Sequence, residues 1–321
     1  MSVYNGEQWL SESIKSVLRQ THQDFEFIII NDGSKDSTAK LIKIFESKDP
    51  RIRVIDKPNT GLTNSLNLGI GYARGDWIAR IDCDDLCEPD RLEKQYALAQ
   101  NNNLVLIGSG AIEIDSHGHS IQNYSYPQSH QSLVRRLILN NRGFFSHSSA
   151  FIRTKTVRRL GGYCERFKRA QDYDLWLRMS ALGEIGCHKN SLVRIRRHAR
   201  QITNENEGKR QKIDSRAALV SYLLRQQSQP DPAGMESPDA QFEEFWRFIQ
   251  HGVEKSNLVL FRQFINKVKK MWINPRLEKK YFACKIALSN PAFLFRYFKE
   301  IIFGERLAVK LCRKWMNQSK K

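Results

Sequence analysis

The chain has 321 residues, 40% of them apolar, and carries 52 Lys and Arg against 34 Asp and Glu, a formal charge of +18. That length accommodates one large α/β domain plus an appendage; no run of about 18 uncharged apolar residues offers a spanning helix, and no leader pattern opens the chain, so a cytoplasmic location is expected. The charge demands an anionic partner: nucleic acid, acidic lipid or a phosphate-bearing substrate.

Met1-Ser2-Val3-Tyr4-Asn5-Gly6 begins abruptly on turn chemistry with no strand before it, and Ile14, Val17 and Leu18 then recur at helical spacing. Phe25 to Ile30 is a short apolar run of the kind a buried parallel strand shows. It ends at Asn31-Asp32-Gly33-Ser34, which leads into a helix from about Ser37 to Phe45. Arg53 to Ile55 predicts a third strand, Gly61 to Ala73 a helix, and Trp77 to Ile81 an apolar strand. That strand delivers Asp82, Asp84 and Asp85, three carboxylates within four residues, before a helix from about Glu88 to Gln100. Strands alternating with helices indicate βαβ units and a mostly parallel sheet, whose ligands gather at the carboxyl ends of the strands. Asp32, Asp82, Asp84 and Asp85 all fall there.

Further on, Leu104 to Gly110 reads as a strand, His147 to Ile152 as a shorter one, and Arg153 to Leu160 as a short helix. Gly161-Gly162-Tyr163 forms a loop ahead of a helix in which Leu175, Trp176 and Met179 share a buried face. Asp172 opens that helix, where the dipole favours negative charge; capping alone also explains an Asp there. The six cysteines (Cys83, Cys87, Cys164, Cys187, Cys284, Cys312) lack C-x-x-C spacing and are expected to be reduced thiols. His117 and His119 form an H-x-H pair in a turn, and with no third ligand apparent the pair reads as a loop.

Around Gln226 to Gly234 the composition turns to linker residues. Helical patterns follow at 241–250, 258–271, 277–287, 291–303 and 306–315. From His251 onward 17 Lys and Arg face four acidic residues, and Phe293 to Phe303 adds a dense apolar patch. Such basic amphipathic helices can lie on an anionic membrane surface or pack against one another with their lysines solvated. The division is therefore a domain over 1–205, a linker and helix over 206–240, and a basic amphipathic helical region over 241–321.

The acidic stretch by itself admits two readings. An Asp-x-Asp-Asp can be a solvated turn that caps a helix. Carboxylates packed so closely raise one another's pKa, and the compensation in a chain this basic is a hard divalent cation, Mn²⁺ or Mg²⁺, which completes its shell from water and substrate phosphates.

Four segments in order carry a resemblance: Tyr4-Asn5-Gly6 through Gln20-Thr21; Asn31-Asp32-Gly33-Ser34 with Asp36-Ser37-Thr38; Gly75-Asp76-Trp77-Ile78 through Asp82-x-Asp84-Asp85 to Pro89-Asp90-Arg91-Leu92; and Gly161-Gly162-Tyr163 with Asp172 to Arg178. Over about residues 1–205 the chain resembles the family 2 inverting, nucleotide-sugar-dependent glycosyltransferases of GT-A fold. The resemblance implies an α/β, Rossmann-like fold with a C-terminal helical appendage. It sets Tyr4 and Asp32 against the nucleotide base, Asp82 and Asp84 by the ribose and phosphates, and Asp85 as the most direct metal ligand with Asp84 beside it. Which of the three aspartates touch metal stays open, since the family shows more than one arrangement. Asp172 matches the catalytic base. Asn64 and Asn67 are candidates for holding the donor, and His147, Arg196 and His198 for acceptor or diphosphate contacts.

Two departures stand out. Family members carry an apolar strand ahead of the Tyr-Asn-Gly motif, and its near absence here implies a misplaced start or a truncation that leaves strand edges unpaired. Gln171 replaces a Glu that often precedes the base. The expected activity is sugar transfer from a nucleotide-diphosphate donor, UDP-type, to a glycan acceptor that is lipid-linked, in surface polysaccharide synthesis at the cytoplasmic face of a membrane. A nucleotidyltransferase would need a Gly-rich basic phosphate loop, which Asn5-Gly6-Glu7 does not supply. A nucleic-acid-binding protein, the reading from charge alone, sets a carboxylate cluster against phosphates, so nucleic acid is not an expected partner.

Overall fold

A computed structural model describes residues 1–100, 103–140, 145–198, 205–226, 231, 233–234 and 237–254. The predicted helices beyond 254, with their basic and aromatic patch, lie outside the described residues. The chain divides into two units, Met1–Ala218 and Leu219–Lys321.

The first unit opens with β1 (Ser2–Val3), α1 (Leu10–Leu18), β2 (Phe27–Asn31), α2 (Thr38–Glu46), β3 (Ile52–Asp56) and α3 (Leu62–Tyr72). These alternate because buried apolar runs in the strands are each followed by a helix with one apolar face. Strands β1, β2 and β3 pair in parallel, Ser2 opposite Ile30 and Ile28 opposite Arg53. A short strand does therefore precede Tyr4: two residues remain in register, and the Met1 amine donates to Ile28 O at 2.9 Å. Val3, Leu10, Ile14, Ile29, Ile42 and Ile81 form the core under this sheet.

A second, mixed sheet is assembled from β4 (Trp77–Ala79), β5 (Leu86–Cys87), β6 (Leu104–Ile114), β7 (Ser120–Tyr124), β8 (Phe151–Arg153) and β9 (Glu184–Arg196). Its order is β4-β8-β6-β9-β5, with β7 on β6. Only β6 and β9 run parallel in it; the other pairs are antiparallel. The helices α4 (Arg91–Ala99), α5 (His130–Asn140), α6 (Thr154–Arg159) and α7 (Gln171–Ser180) complete this part, and α8 (Glu205–Gln226) leaves it. Leu92, Ala99, Leu104, Ile107 and Phe151 bury a second core between α4 and the sheet.

Two local expectations are corrected. The segment from His147 is not a strand at first: Ser146 Oγ accepts from Ser148 N at 3.2 Å, caps a 3₁₀ turn over His147–Ser149, and delays β8 to Phe151. Serines so placed compete for backbone bonds that a strand would need. The helix expected from about Glu88 begins at Arg91, and Leu86 and Cys87 ahead of it form a strand paired with Arg194 and Val193.

In the second unit, α9 (Asp239–Glu254) buries Phe242, Trp246 and Ile249 at helical spacing. The linker chemistry before it is a turn at Asp231, whose carboxylate takes Arg225 at 2.5 Å and Ala233 N at 2.9 Å. Among the described residues no helix is long and apolar enough to cross a membrane.

Candidate active site

Beyond β4 the chain is pulled inward by Ile81, 4% exposed, and the following turn brings Asp82, Asp84 and Asp85 together with ligand oxygens within 4.8 Å of one another. Burial, then the charges of Asp82 and Asp84, push the Asp85 carboxyl up to about 8. Ser148 Oγ, donating to Asp85, and the Arg196 N–H, at 2.9 Å, oppose that rise. Burial and Asp82 also raise Asp84, opposed by His198, whose Nε2 lies 2.9 Å from Asp84 Oδ2. The other ring nitrogen, Nδ1 of His198, is buried with no partner among the described residues, and its ring leans on Trp9 at 4.2 Å between centroids. Asp84 and Asp85, which burial makes costly to ionise, lie beside Asp82 among a hydroxyl, a backbone N–H, an imidazole and the Arg80 guanidinium, and the cluster is a donor set suited to a hard divalent ion.

At the end of β2, Asp32 is 2% exposed. Burial raises its carboxyl, but Lys57 Nζ, Thr60 N at 2.9 Å and Gly61 N at 2.9 Å outweigh that and hold it below the ordinary carboxylate range. Asn64 joins the rim of this network by accepting from Thr60 Oγ1 at 2.8 Å. Tyr4 stands close by in the chain path, because Val3 O accepts from Asp32 N at 2.9 Å, and its side chain is 47% exposed. Gly33, at φ +71°, permits the turn, where a Cβ would meet Asn59 N at 2.7 Å.

Asp172 lies in the first turn of α7. Burial raises its carboxyl; the Tyr173 N–H and the charge of Arg80 lower it, and Asp82 raises it again. The same two charges act on Tyr163, so Asp172, Tyr163, Arg80 and Asp82 share one electrostatic neighbourhood. His147 Nε2 and Tyr163 OH are 2.7 Å apart, and the imidazole also meets Trp176 edge-on. Burial and Arg80 push His147 well below its usual value, which leaves it neutral.

Two of the candidate contacts have other occupations. Asn67 does not hold its amide out to a ligand: Nδ2 donates to Tyr163 O at 2.9 Å and Oδ1 accepts from Tyr163 N at 2.7 Å. Arg178 secures the same loop from α7, donating to Gly162 O at 2.9 Å and Leu160 O at 3.1 Å. Arg196, 1% exposed, is likewise engaged within the protein. Its guanidinium is taken by Glu12 at 2.8 Å, Asp84 O at 3.1 Å and Ser116 O at 3.2 Å, with Trp9 beneath. Arg196→Met therefore costs about 2 kcal/mol, because buried carbonyls lose their donor, and lowers Tm by about 4–8 °C. Thermal denaturation checks it; an unchanged Tm would return Arg196 to the list of ligand contacts.

Three residues that complete the site carry no motif. Lys57 neutralises Asp32, Ser148 bridges Asp82 and Asp85, and Arg80 grips both oxygens of Asp82. Of these only Arg80 leaves a trace in the sequence, as a charge inside an apolar strand.

Residues 1–161 match the family described as Glycosyl transferase family 2. An uncharacterized glycosyltransferase of Haemophilus influenzae is 31% identical over 237 residues, 68% of this chain and 72% of the relative. The O-antigen biosynthesis glycosyltransferase WbnJ of Escherichia coli is 34% identical over 180 residues, 56% of this chain and 69% of its own. In fold, the chain is similar to S. aureus TarS 1-349, solved in complex with UDP-GlcNAc, with a TM-score of 0.58 at 14% identity over 94% of this chain and 80% of that one.

Proposed function

Because the chain belongs to glycosyl transferase family 2, we propose that it moves a sugar from a nucleotide-diphosphate donor, UDP-type, to an acceptor hydroxyl with inversion at the anomeric carbon. The observation that carries this reading is the shared neighbourhood of the acidic turn and Asp172 around Arg80. Asp32 at the end of β2 suits a base that offers an N–H, and Tyr4 beside it offers a ring to stack on. The divalent ion, Mn²⁺ or Mg²⁺, that Asp84 and Asp85 would hold supplies positive charge for the leaving diphosphate. Asp172 takes the proton from the acceptor oxygen as that oxygen attacks. The new glycosidic bond forms on the face opposite the one from which the sugar–phosphate bond breaks, so no covalent link to the enzyme is needed. His198, with one nitrogen on Asp84 and the other without a partner among the described residues, is suited to a ligand of this cluster.

The O-antigen relative supports an acceptor that is a growing glycan of a surface polysaccharide. A lipid-linked acceptor and a peripheral station on an anionic membrane rest on the basic residues after 254.

Isothermal titration of the full chain with UDP, with and without Mn²⁺, tests the reading. UDP binding tightens by about tenfold or more when Mn²⁺ is present. Equal binding in its absence, or binding to random oligonucleotides and none to UDP, would overturn it.

A further inference from the structure

We propose that Arg80 is a resident counter-cation, a positioning residue that cancels the charge of Asp82 and so reserves the divalent ion for Asp84 and Asp85. The inference rests on the metal-assisted reading above. Arg80 is 5% exposed, with its backbone fixed from both sides: its N–H donates to Ala150 O at 2.9 Å and its carbonyl accepts from Arg91 Nη2 at 2.8 Å. From that mount its two η nitrogens each take one oxygen of Asp82, filling the carboxylate in the forked geometry only Arg provides. Nη1 also donates to Ser148 Oγ at 3.1 Å, and the Asp82 N–H meets the same oxygen at 3.1 Å. Ser148 in turn donates its hydroxyl hydrogen bond to Asp85.

The three aspartates are therefore unequal. Asp85 is held by a hydroxyl and a backbone N–H, and Asp84 by an imidazole; among the described residues only Asp82 of the three is ion-paired with a guanidinium. Three carboxylates less one guanidinium leave a charge of minus two, which matches a divalent ion and sets Asp82 apart from it. A buried Arg here also answers a folding problem, since without it the Asp82 carboxylate would face two buried carboxyls with no countercharge.

Mn²⁺ affinity of the full chain, measured by calorimetry and by electron paramagnetic resonance of free Mn²⁺, separates the roles. Asp82→Asn retains Mn²⁺ affinity within about threefold, since Asp82 is not a ligand. Arg80→Gln binds Mn²⁺ more tightly, by about threefold or more, because the carboxylate of Asp82 is released toward the ion. The double variant, Arg80→Gln with Asp82→Asn, replaces the ion pair by two amides, avoids an unpaired buried charge, and returns the affinity to that of the parent. A loss of about tenfold or more in both Asp82→Asn and the double variant overturns the inference, as does a folded Arg80→Gln protein with unchanged or weaker Mn²⁺ binding. A parent chain that binds Mn²⁺ neither alone nor with UDP brings down the metal-assisted reading first and the inference with it.

Discussion

Asp172→Asn lowers kcat by about a thousandfold and leaves UDP affinity within about twofold. The amide keeps the shape of the side chain and its acceptor for the Tyr173 N–H, 2.8 Å away, but it cannot receive a proton. The pH profile provides an independent readout. Burial sets the Asp172 carboxyl above the ordinary carboxylate range, so protonation, and with it loss of the base, begins at a higher pH than for an exposed Asp. The acid limb of kcat/KM therefore lies above that range in the parent chain, and activity falls as pH drops through it. The residual activity of Asp172→Asn lacks that limb. Steady-state rates across pH, with calorimetric UDP binding in parallel, check both halves. Near-normal turnover in the variant would take Asp172 out of the base role.

Asp85→Asn removes the Mn²⁺-dependent part of UDP binding, about a hundredfold in affinity, and takes turnover down with it. The one carbonyl oxygen of Asn still accepts from the Arg196 N–H, while its NH2 replaces the oxygen that took the Ser148 hydroxyl, which has Asp82 Oδ2 at 3.1 Å as its other acceptor, so the turn keeps its shape. What is lost is the charge that a cation would answer. Asp85 is the aspartate most disfavoured as an anion, at about 8, so the cation-free variant folds at least as well as the parent above neutral pH. The contrast between intact Tm and lost metal response separates a ligand from a structural residue. If UDP binding to Asp85→Asn still tightens with Mn²⁺ as in the parent, another group holds the ion.

Much of this site is legible in the chain because its chemistry is local. The Asp82 to Asp85 cluster is four residues long, and each acidic strand end follows an apolar run whose burial dictates where the chain must turn. Asp172 is readable for the same reason: Leu175, Trp176 and Met179 fix the face of α7 and so its first turn. The rest depends on partners far away in sequence. Arg196 and Glu12 are 184 residues apart, Ser148 and Asp85 63, and no local pattern distinguishes a guanidinium pointing inward from one in solvent. Asn67 misleads similarly, since an Asn on a helix beside a cleft looks the same whether it serves a ligand or the backbone of Tyr163. The extent of β9 was hidden by its polar middle, His188 to Ser191, where the pairing with β6 slips register.

The clasp of Asn67 on residue 163 has a consequence for how such a chain can diversify. The amide reads only the peptide of that residue, so the aromatic at 163, and through it whatever leans on His147, is open to replacement while the joint between α3 and the loop survives. Its neighbour has no such latitude: Gly162 sits at φ +78°, and a Cβ there would fall 2.4 Å from Asn67 Oδ1. One position is a socket for novelty, the adjacent one a fixed rivet.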